Sequence, residues 1–143
     1  MEFKWYTYKD KGLQDGFEIR REVFCKEIGF SEEFEFDEED KNALHLVCYD
    51  GGVPVCNARI FMEQPGVWHF GRLRCPQQYR GKGYGKATVK KVIEKCEELS
   101  ALKLVLGAKY DKKGFYESIG FASYGEIFEE EGIPHIMMQI EID

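Results

Sequence analysis

The chain has 143 residues, of which 43% are hydrophobic, 15% aromatic and 32% charged, with a formal net charge of −6. That is the balance of one ordinary globular domain spanning residues 1–143, long enough to bury about two thirds of its unfolded surface. The acidic total argues against nonspecific nucleic-acid binding, no run reaches membrane-spanning length, and the opening MEFKWYTYKD lacks the basic start and apolar stretch of a secretion signal. A cytoplasmic protein is expected. Five cysteines (Cys25, Cys48, Cys56, Cys75, Cys96), none in a C-x-x-C pair, predict reduced and mostly buried thiols rather than a disulfide framework or a zinc site.

In chain order, Lys4 to Tyr8 reads as a short aromatic strand. Phe17, Arg20, Arg21, Phe24 and Ile28 recur at helical spacing and predict a helix that stops near Gly29. Glu32 to Asp40 places seven carboxylates in nine positions, which predicts a loop or polar helix outside the core. ALHLVCYD and VPVCNARIFME, separated by Asp50, Gly51 and Gly52, form a hairpin, and VWHFGRLRC adds a third strand after Pro65 and Gly66. Gly71 inside that strand marks a bulge or a close backbone approach. Val89, Val92, Ile93, Cys96 and Leu99 then outline an amphipathic helix. LKLVLGA reads as a buried parallel-type strand, KKGFYESIG as a short helix closed by Gly120, and HIMMQIEI as a final alternating strand, with a further short strand at Phe121 to Tyr124. The order predicts a mixed α/β sheet with crossover helices.

Charge is unevenly spread. Gln64 to Ile93 contains seven basic residues (Arg72, Arg74, Arg80, Lys82, Lys86, Lys90, Lys91) and no acidic one, so a net −6 overall leaves −13 for the rest. At the centre of this basic stretch stands QYRGKGYGKAT, a glycine-rich turn just before a helix, where free backbone N–H groups and the positive dipole end suit an anion. A Walker A loop would need glycine where Arg80 stands and Ser or Thr where Ala87 stands. A dinucleotide loop beginning at Gly81 would need glycine at Lys86, and no ribose-binding carboxylate ends LKLVLGA.

R-x-x-G-x-G does fit, through Arg80, Gly83 and Gly85 with Gly81 between, and here the chain resembles the GNAT superfamily of N-acetyltransferases. GFYESIGF (Gly114 to Phe121) is similar to that family's F-Y-x-x-x-G-F segment, and EEEGIPHIMMQI resembles the ending of its ElaA-like branch. The resemblance implies an α/β (α+β) GNAT fold: a mixed central sheet of six to seven strands, an antiparallel N-terminal meander, a splayed β4/β5 pair and about four helices. It also implies an acetyl-CoA-dependent N-acetyltransferase that acts on a primary amine by direct transfer in a ternary complex.

By the same resemblance, Arg80, Gly81, Lys82, Gly83, Tyr84, Gly85, Lys86 and Ala87 would cradle the pyrophosphate of coenzyme A. Leu73, Arg74 and Cys75 would hold the pantetheine through main-chain groups, with a backbone N–H at Leu73 or Cys75 as the oxyanion donor. Cys75 lacks a His/Asp pattern around it and reads as a buried hydrophobe, not a nucleophile. Tyr116 matches the tyrosine that protonates the departing thiolate. His135 is the candidate base, with His69, Glu63, Glu131 and water as rivals. His45, Arg59 and Arg72 are candidate acceptor-site residues. EFDEED lacks the spacing of a calcium loop and the histidines at 45, 69 and 135 form no H-E-x-x-H, so no metal is expected. The alternatives are an amino-sugar acetyltransferase of the same fold, in which Arg59 and Arg72 meet a sugar phosphate, and a catalytically silent CoA-binding module. Whether the acceptor is a small molecule or a protein amine, and whether the chain forms a homodimer, stay open.

Overall fold

The computed structural model describes residues 1–143 and divides into two compact units, one of residues 1–61 and 72–92, the other of residues 62–71 and 93–143. The strands are β1 (Glu2–Tyr6), β2 (Leu44–Asp50), β3 (Val53–Gln64), β4 (Val67–Arg74), β5 (Lys103–Lys109), β6 (Ala122–Glu130) and β7 (Ile133–Glu141). They form a seven-stranded mixed sheet in the order β1-β2-β3-β4-β5-β7-β6. Four α-helices accompany them: α1 (Leu13–Arg20), α2 (Glu32–Glu35), α3 (Tyr84–Glu98) and α4 (Lys113–Glu117).

In the first unit, β1 pairs antiparallel with β2 from Glu2↔Tyr49 to Tyr6↔His45, and β2 with β3 from Leu44↔Ile60, with a bulge at Cys48/Tyr49. β1 ends two residues earlier than predicted because Thr7 N–H turns to the Asp10 carboxylate at 2.7 Å, which closes a turn in place of the ladder. The alternation of β2 and β3 is masked: Leu46, Val47, Cys48, Val55, Cys56, Ala58 and Ile60 are all buried, so both faces are covered. The first helix does reach toward Gly29, but Arg21–Glu27 widens to π geometry, with Ile28 N–H bonded to the Val23 carbonyl, and Gly29 ends it at φ 92°.

The acidic stretch departs from expectation. Glu35 is 0% exposed and Asp40 2%, although five of the seven carboxylates there face solvent. The reason is Arg20, itself 0% exposed, whose Nε donates to Glu35 Oε2 at 3.0 Å and whose Nη1 donates to Asp40 Oδ1 at 2.8 Å. Nη2 donates to the Glu35 carbonyl at 2.7 Å, and the guanidinium lies over the rings of Phe17 and Phe36. A buried charge is tolerated only when paired and hydrogen-bonded in this way.

In the second unit, β4 runs parallel to β5, in register from Val67↔Lys103 to His69↔Val105, as expected after a helical crossover. The registered pairs stop there, while β4 continues to Arg74 and β5 to Lys109, matching the splay implied by the resemblance. β5 pairs antiparallel with β7, and β7 with β6. β6 is nine residues long where a short strand was expected, because its exposed, glutamate-rich second half carries no apolar alternation to read. Leu104, Val105, Leu106, Ala108, Phe121, Ile136 and Met138 are buried.

Removing Arg20 takes from two buried carboxylates the cation they share, leaving Glu35 only Arg74 and Arg72 and leaving Asp40 only Arg59. Arg20→Ala is therefore expected to lower unfolding stability by about 3–5 kcal/mol, read from urea denaturation. Asp40 gives a pH test. Burial would raise its pKa, but hydrogen bonds and charge from Arg20 and Arg59 outweigh burial and hold it below the ordinary value of 3.8. A carboxyl lowered in the folded state adds stability above its unfolded pKa and loses it as pH falls through the folded value. Buried His45 is held below its ordinary 6.5 by desolvation, so protonating the unfolded chain already costs stability as pH drops past 6.5. Denaturation midpoints should thus fall in two phases, one below about pH 6.5 and one below about pH 4 that Asp40→Asn reduces, the remainder coming from Asp37, which Arg59 and Arg72 also hold below 3.8.

Candidate functional site

The glycine loop has the open, turned backbone that an anion cradle requires. Gly81 and Gly83 have φ of 78° and 86°, values that L side chains rarely adopt, and nothing of the protein lies within 4 Å of where a Cβ would stand on either. The backbone is therefore both turned and open at these positions. The first helical bond runs from Ala87 N–H to the Gly83 carbonyl at 3.1 Å, so the N–H groups of Tyr84, Gly85 and Lys86 have no acceptor one turn earlier in α3. With the dipole of a 15-residue helix behind them, these donors suit a pyrophosphate. Lys82 and Lys86 are exposed alongside.

Arg80 has a second task. Its Nε donates to the Cys75 carbonyl and its Nη2 to Glu27 Oε2, both at 2.7 Å, while Glu27 Oε1 accepts from Gln77 N–H at 3.1 Å. The loop is thus braced against the end of the π turn. Tyr84 Oη donates to the Asp50 carboxylate, which pushes the phenol up to about 12 and ties the start of α3 to the β2–β3 turn.

At the end of β4, Leu73, Cys75, Tyr79 and Tyr84 pack on the buried cluster of Cys48, Val55 and Cys56. The Cys75 thiol contacts that of Cys56. The hydrogen bond from Cys56 favours the Cys75 thiolate, Arg80 adds to the effect, and the Cys75 pKa falls below 9.0 while that of Cys56 rises. The irregularity expected at Gly71 falls one residue later: Arg72 takes φ 56°, a left-handed conformation uncommon outside glycine.

The three proposed acceptor-site residues also lie in the first unit, within the buried ion cluster. Arg59 is 4% exposed and donates through Nη1 to Asp37 Oδ1 at 2.7 Å and to Asp40 Oδ1 at 2.8 Å. Arg72 donates through Nε to the Glu35 carbonyl at 2.9 Å, and Arg74 Nη2 to Glu35 Oε1 at 3.0 Å. His45 is fully buried, with Nε2 2.9 Å from the Asp40 carbonyl. The ion network of Arg20, Glu35, Asp37 and Asp40 was missed in the sequence. Its one signal was an arginine on the apolar stripe of α1.

Tyr116 and His135 lie in the second unit. Tyr116, 7% exposed, sits edge-on to Phe70, Phe115 and Phe121 at centroid distances of 6.3, 5.0 and 5.7 Å. His135, also 7% exposed, stacks on Phe128 and has Nδ1 2.8 Å from the Ile133 carbonyl. A carbonyl only accepts, so Nδ1 carries a proton, and Nε2 lies 3.5 Å from Glu130 Oε2. Its rivals His69 and Glu63 pair with each other at 3.2 Å, and Glu131 stands at φ 54° in the β6–β7 turn.

A mixed sheet whose parallel β4/β5 ladder ends early, followed by a glycine loop on a helix N-terminus, defines an acyl-CoA-dependent transferase architecture. Residues 6–142 match the family described as Acetyltransferase (GNAT) domain, and the chain belongs to that family, in its ElaA-like branch. An acetyltransferase-named protein of Bacillus subtilis (strain 168) is 36% identical over 142 residues, covering 94% of this chain and 92% of its own. Protein ElaA of Escherichia coli (strain K12) is 34% identical over 103 residues, 68% of this chain and 66% of its own. The crystal structure of Escherichia coli ElaA superimposes with a TM-score of 0.85 at 26% identity, covering 98% of this chain and 99% of that one. The chain is accordingly a GNAT-type acetyltransferase.

The thiol geometry yields a direct test. Cys25 is also partly exposed but burial pushes its thiol up, whereas Cys75 is pulled down. Alkylation with iodoacetamide at neutral pH, followed by peptide mass spectrometry, should modify Cys75 first among the five. Arg80→Ala should slow that reaction several-fold by removing the nearby positive charge.

Proposed function

We propose that the chain transfers an acetyl group from acetyl-CoA directly to a primary amine, without an acyl-enzyme stage. The observation that carries this reading is the open glycine cradle at the start of α3, in a chain whose family is acetyltransferase. Backbone N–H groups of residues 84–86, with Lys82 and Lys86, would hold the pyrophosphate, and the main chain of Leu73 to Cys75 the pantetheine. Arg80 contributes mainly by shaping the loop, since its fork is committed to Cys75 and Glu27. In the transfer, the amine nitrogen bonds to the thioester carbon and the C–S bond breaks. Tyr116 gives its proton to the leaving sulfur, and the amine proton passes to His135 Nε2, directly or through water. The cytoplasm is the proposed location and no metal enters the reading.

Support for a sugar-phosphate acceptor is weaker, because Arg59 already has Asp37 and Asp40 as partners and little exposure. A neutral or cationic amine fits the acidic chain better.

Saturating CoA should raise the melting temperature, in line with about 2.7 kcal/mol at a hundredfold excess over Kd. No shift would overturn the reading. Gly83→Ala, which places a Cβ at φ 86°, should weaken that stabilisation at least tenfold in apparent Kd. With an amine panel and free thiol as the readout, Tyr116→Phe should lower turnover by about 10²-fold with CoA affinity nearly unchanged. Binding without thiol release for any amine would leave a silent CoA-binding module.

A further inference from the structure

The strained residue of β4 is held by a side chain to which nothing above assigns a role. Asn57 lies in the middle of β3, is 0% exposed, and donates from Nδ2 to the carbonyl of Arg72 at 3.0 Å. Its Oδ1 is buried with no hydrogen-bond partner and faces Gly16 of α1, where a Cβ would come within 2.4 Å of it. A buried amide oxygen without a partner carries a desolvation cost, and the bond made by Nδ2 is what stands against it.

That other half fixes one peptide plane. The chain has no cis peptide bond, so the Arg72 C=O and the Leu73 N–H belong to one planar trans unit and point in opposite directions. Drawing the carbonyl toward Asn57 turns the Leu73 N–H away from β3. Arg72 reaches this orientation only by taking φ 56°, and its side chain is clipped there by the Glu35 carbonyl at 2.9 Å and Asp37 Oδ2 at 3.1 Å. A left-handed arginine inside a strand persists only where its surroundings overdetermine it, and such strain gathers at functional sites.

We infer that Asn57 is a positioning residue for acyl transfer. By fixing the Arg72–Leu73 peptide it aims the Leu73 N–H, and not that of Cys75, at the oxygen of the thioester carbonyl, where negative charge develops as the C–N bond forms and before the C–S bond breaks. Gly16 acts through it, by leaving room for the carboxamide. The inference rests on the acyl-transfer reading above.

The test separates acyl recognition from CoA recognition, because free CoA has no carbonyl for the donor to meet. In Asn57→Ala, kcat should fall about ten- to a hundredfold, less than or equal to the loss from deleting an oxyanion donor. The Kd for free CoA should stay within about threefold of wild type, since the loop is untouched. With acetyl-CoA labelled with carbon-13 at the carbonyl, infrared difference spectra should show a downshifted bound C=O stretch in the wild type that returns toward the free value in the variant. Gly16→Ala, which displaces the carboxamide from the α1 side, should reproduce the loss in milder form should Asn57→Ala fold poorly. Unchanged kcat and an unchanged carbonyl stretch in a folded variant would overturn the inference. So would a parallel loss of CoA affinity, which marks a merely structural role. Failure of the wild type to bind acetyl-CoA would instead overturn the acyl-transfer reading itself.

Discussion

The first unit depends on one buried cation. The guanidinium of Arg20, on the inner face of α1, gathers Glu35, Asp40 and the Glu35 carbonyl around it, and through Asp40 it reaches Arg59 of β3. Glu35 in turn holds Arg74 and, through its carbonyl, Arg72 of β4. Four arginines and three carboxylates are thereby interlocked. Arg20, Glu35, Asp40 and Arg59 are buried and would each be costly alone, and their charges pair within the network although Nε of Arg59 and of Arg74 stays without a hydrogen-bond partner. The helix, the acidic segment and two strands are thus joined by charge pairing in addition to their apolar packing.

The consequence for the site is that the backbone at the end of β4 is shaped by distant side chains. Arg72 holds its left-handed conformation because Asn57 takes its carbonyl and Glu35 and Asp37 take its guanidinium. A few residues on, Arg80 and Glu27 brace the start of the glycine loop. In the proposed reading, the donors that a thioester and a pyrophosphate meet are main-chain N–H groups, which any residue supplies. Their direction is set by a small number of residues that are not interchangeable.

Much of this was legible in the residues. Three glycines at alternating positions before an amphipathic pattern indicated a phosphate loop, because turn geometry and helix capping are local properties. The succession of strands and helices along the chain followed from turn residues and apolar runs in the same way. Other features were illegible for equally physical reasons. Gly71 drew attention to a bulge, but the strain sits on Arg72, since an arginine can be forced left-handed only by partners far along the chain. Glu35 and Asp40 looked like members of a solvated run, and nothing in their neighbours distinguishes them from Glu33 or Glu38. Arg59, read as a pocket residue, is engaged by Asp37 and Asp40. The second half of β6 carries no alternation, because it is exposed.

By itself the sequence determined what local chemistry controls: the order of the elements, the glycine cradle with its basic surroundings, and the motifs that carry the acetyltransferase resemblance. Only the tertiary structure decided which charges are buried, which peptide is twisted and which way the N–H groups of β4 point. Those outcomes depend on pairing across separations of 15 to 39 residues, as between Arg20 and Glu35 or Glu35 and Arg74. Coulombic and hydrogen-bonding partners of that kind are chosen by proximity in space, and the linear order of residues does not encode proximity until the chain has folded.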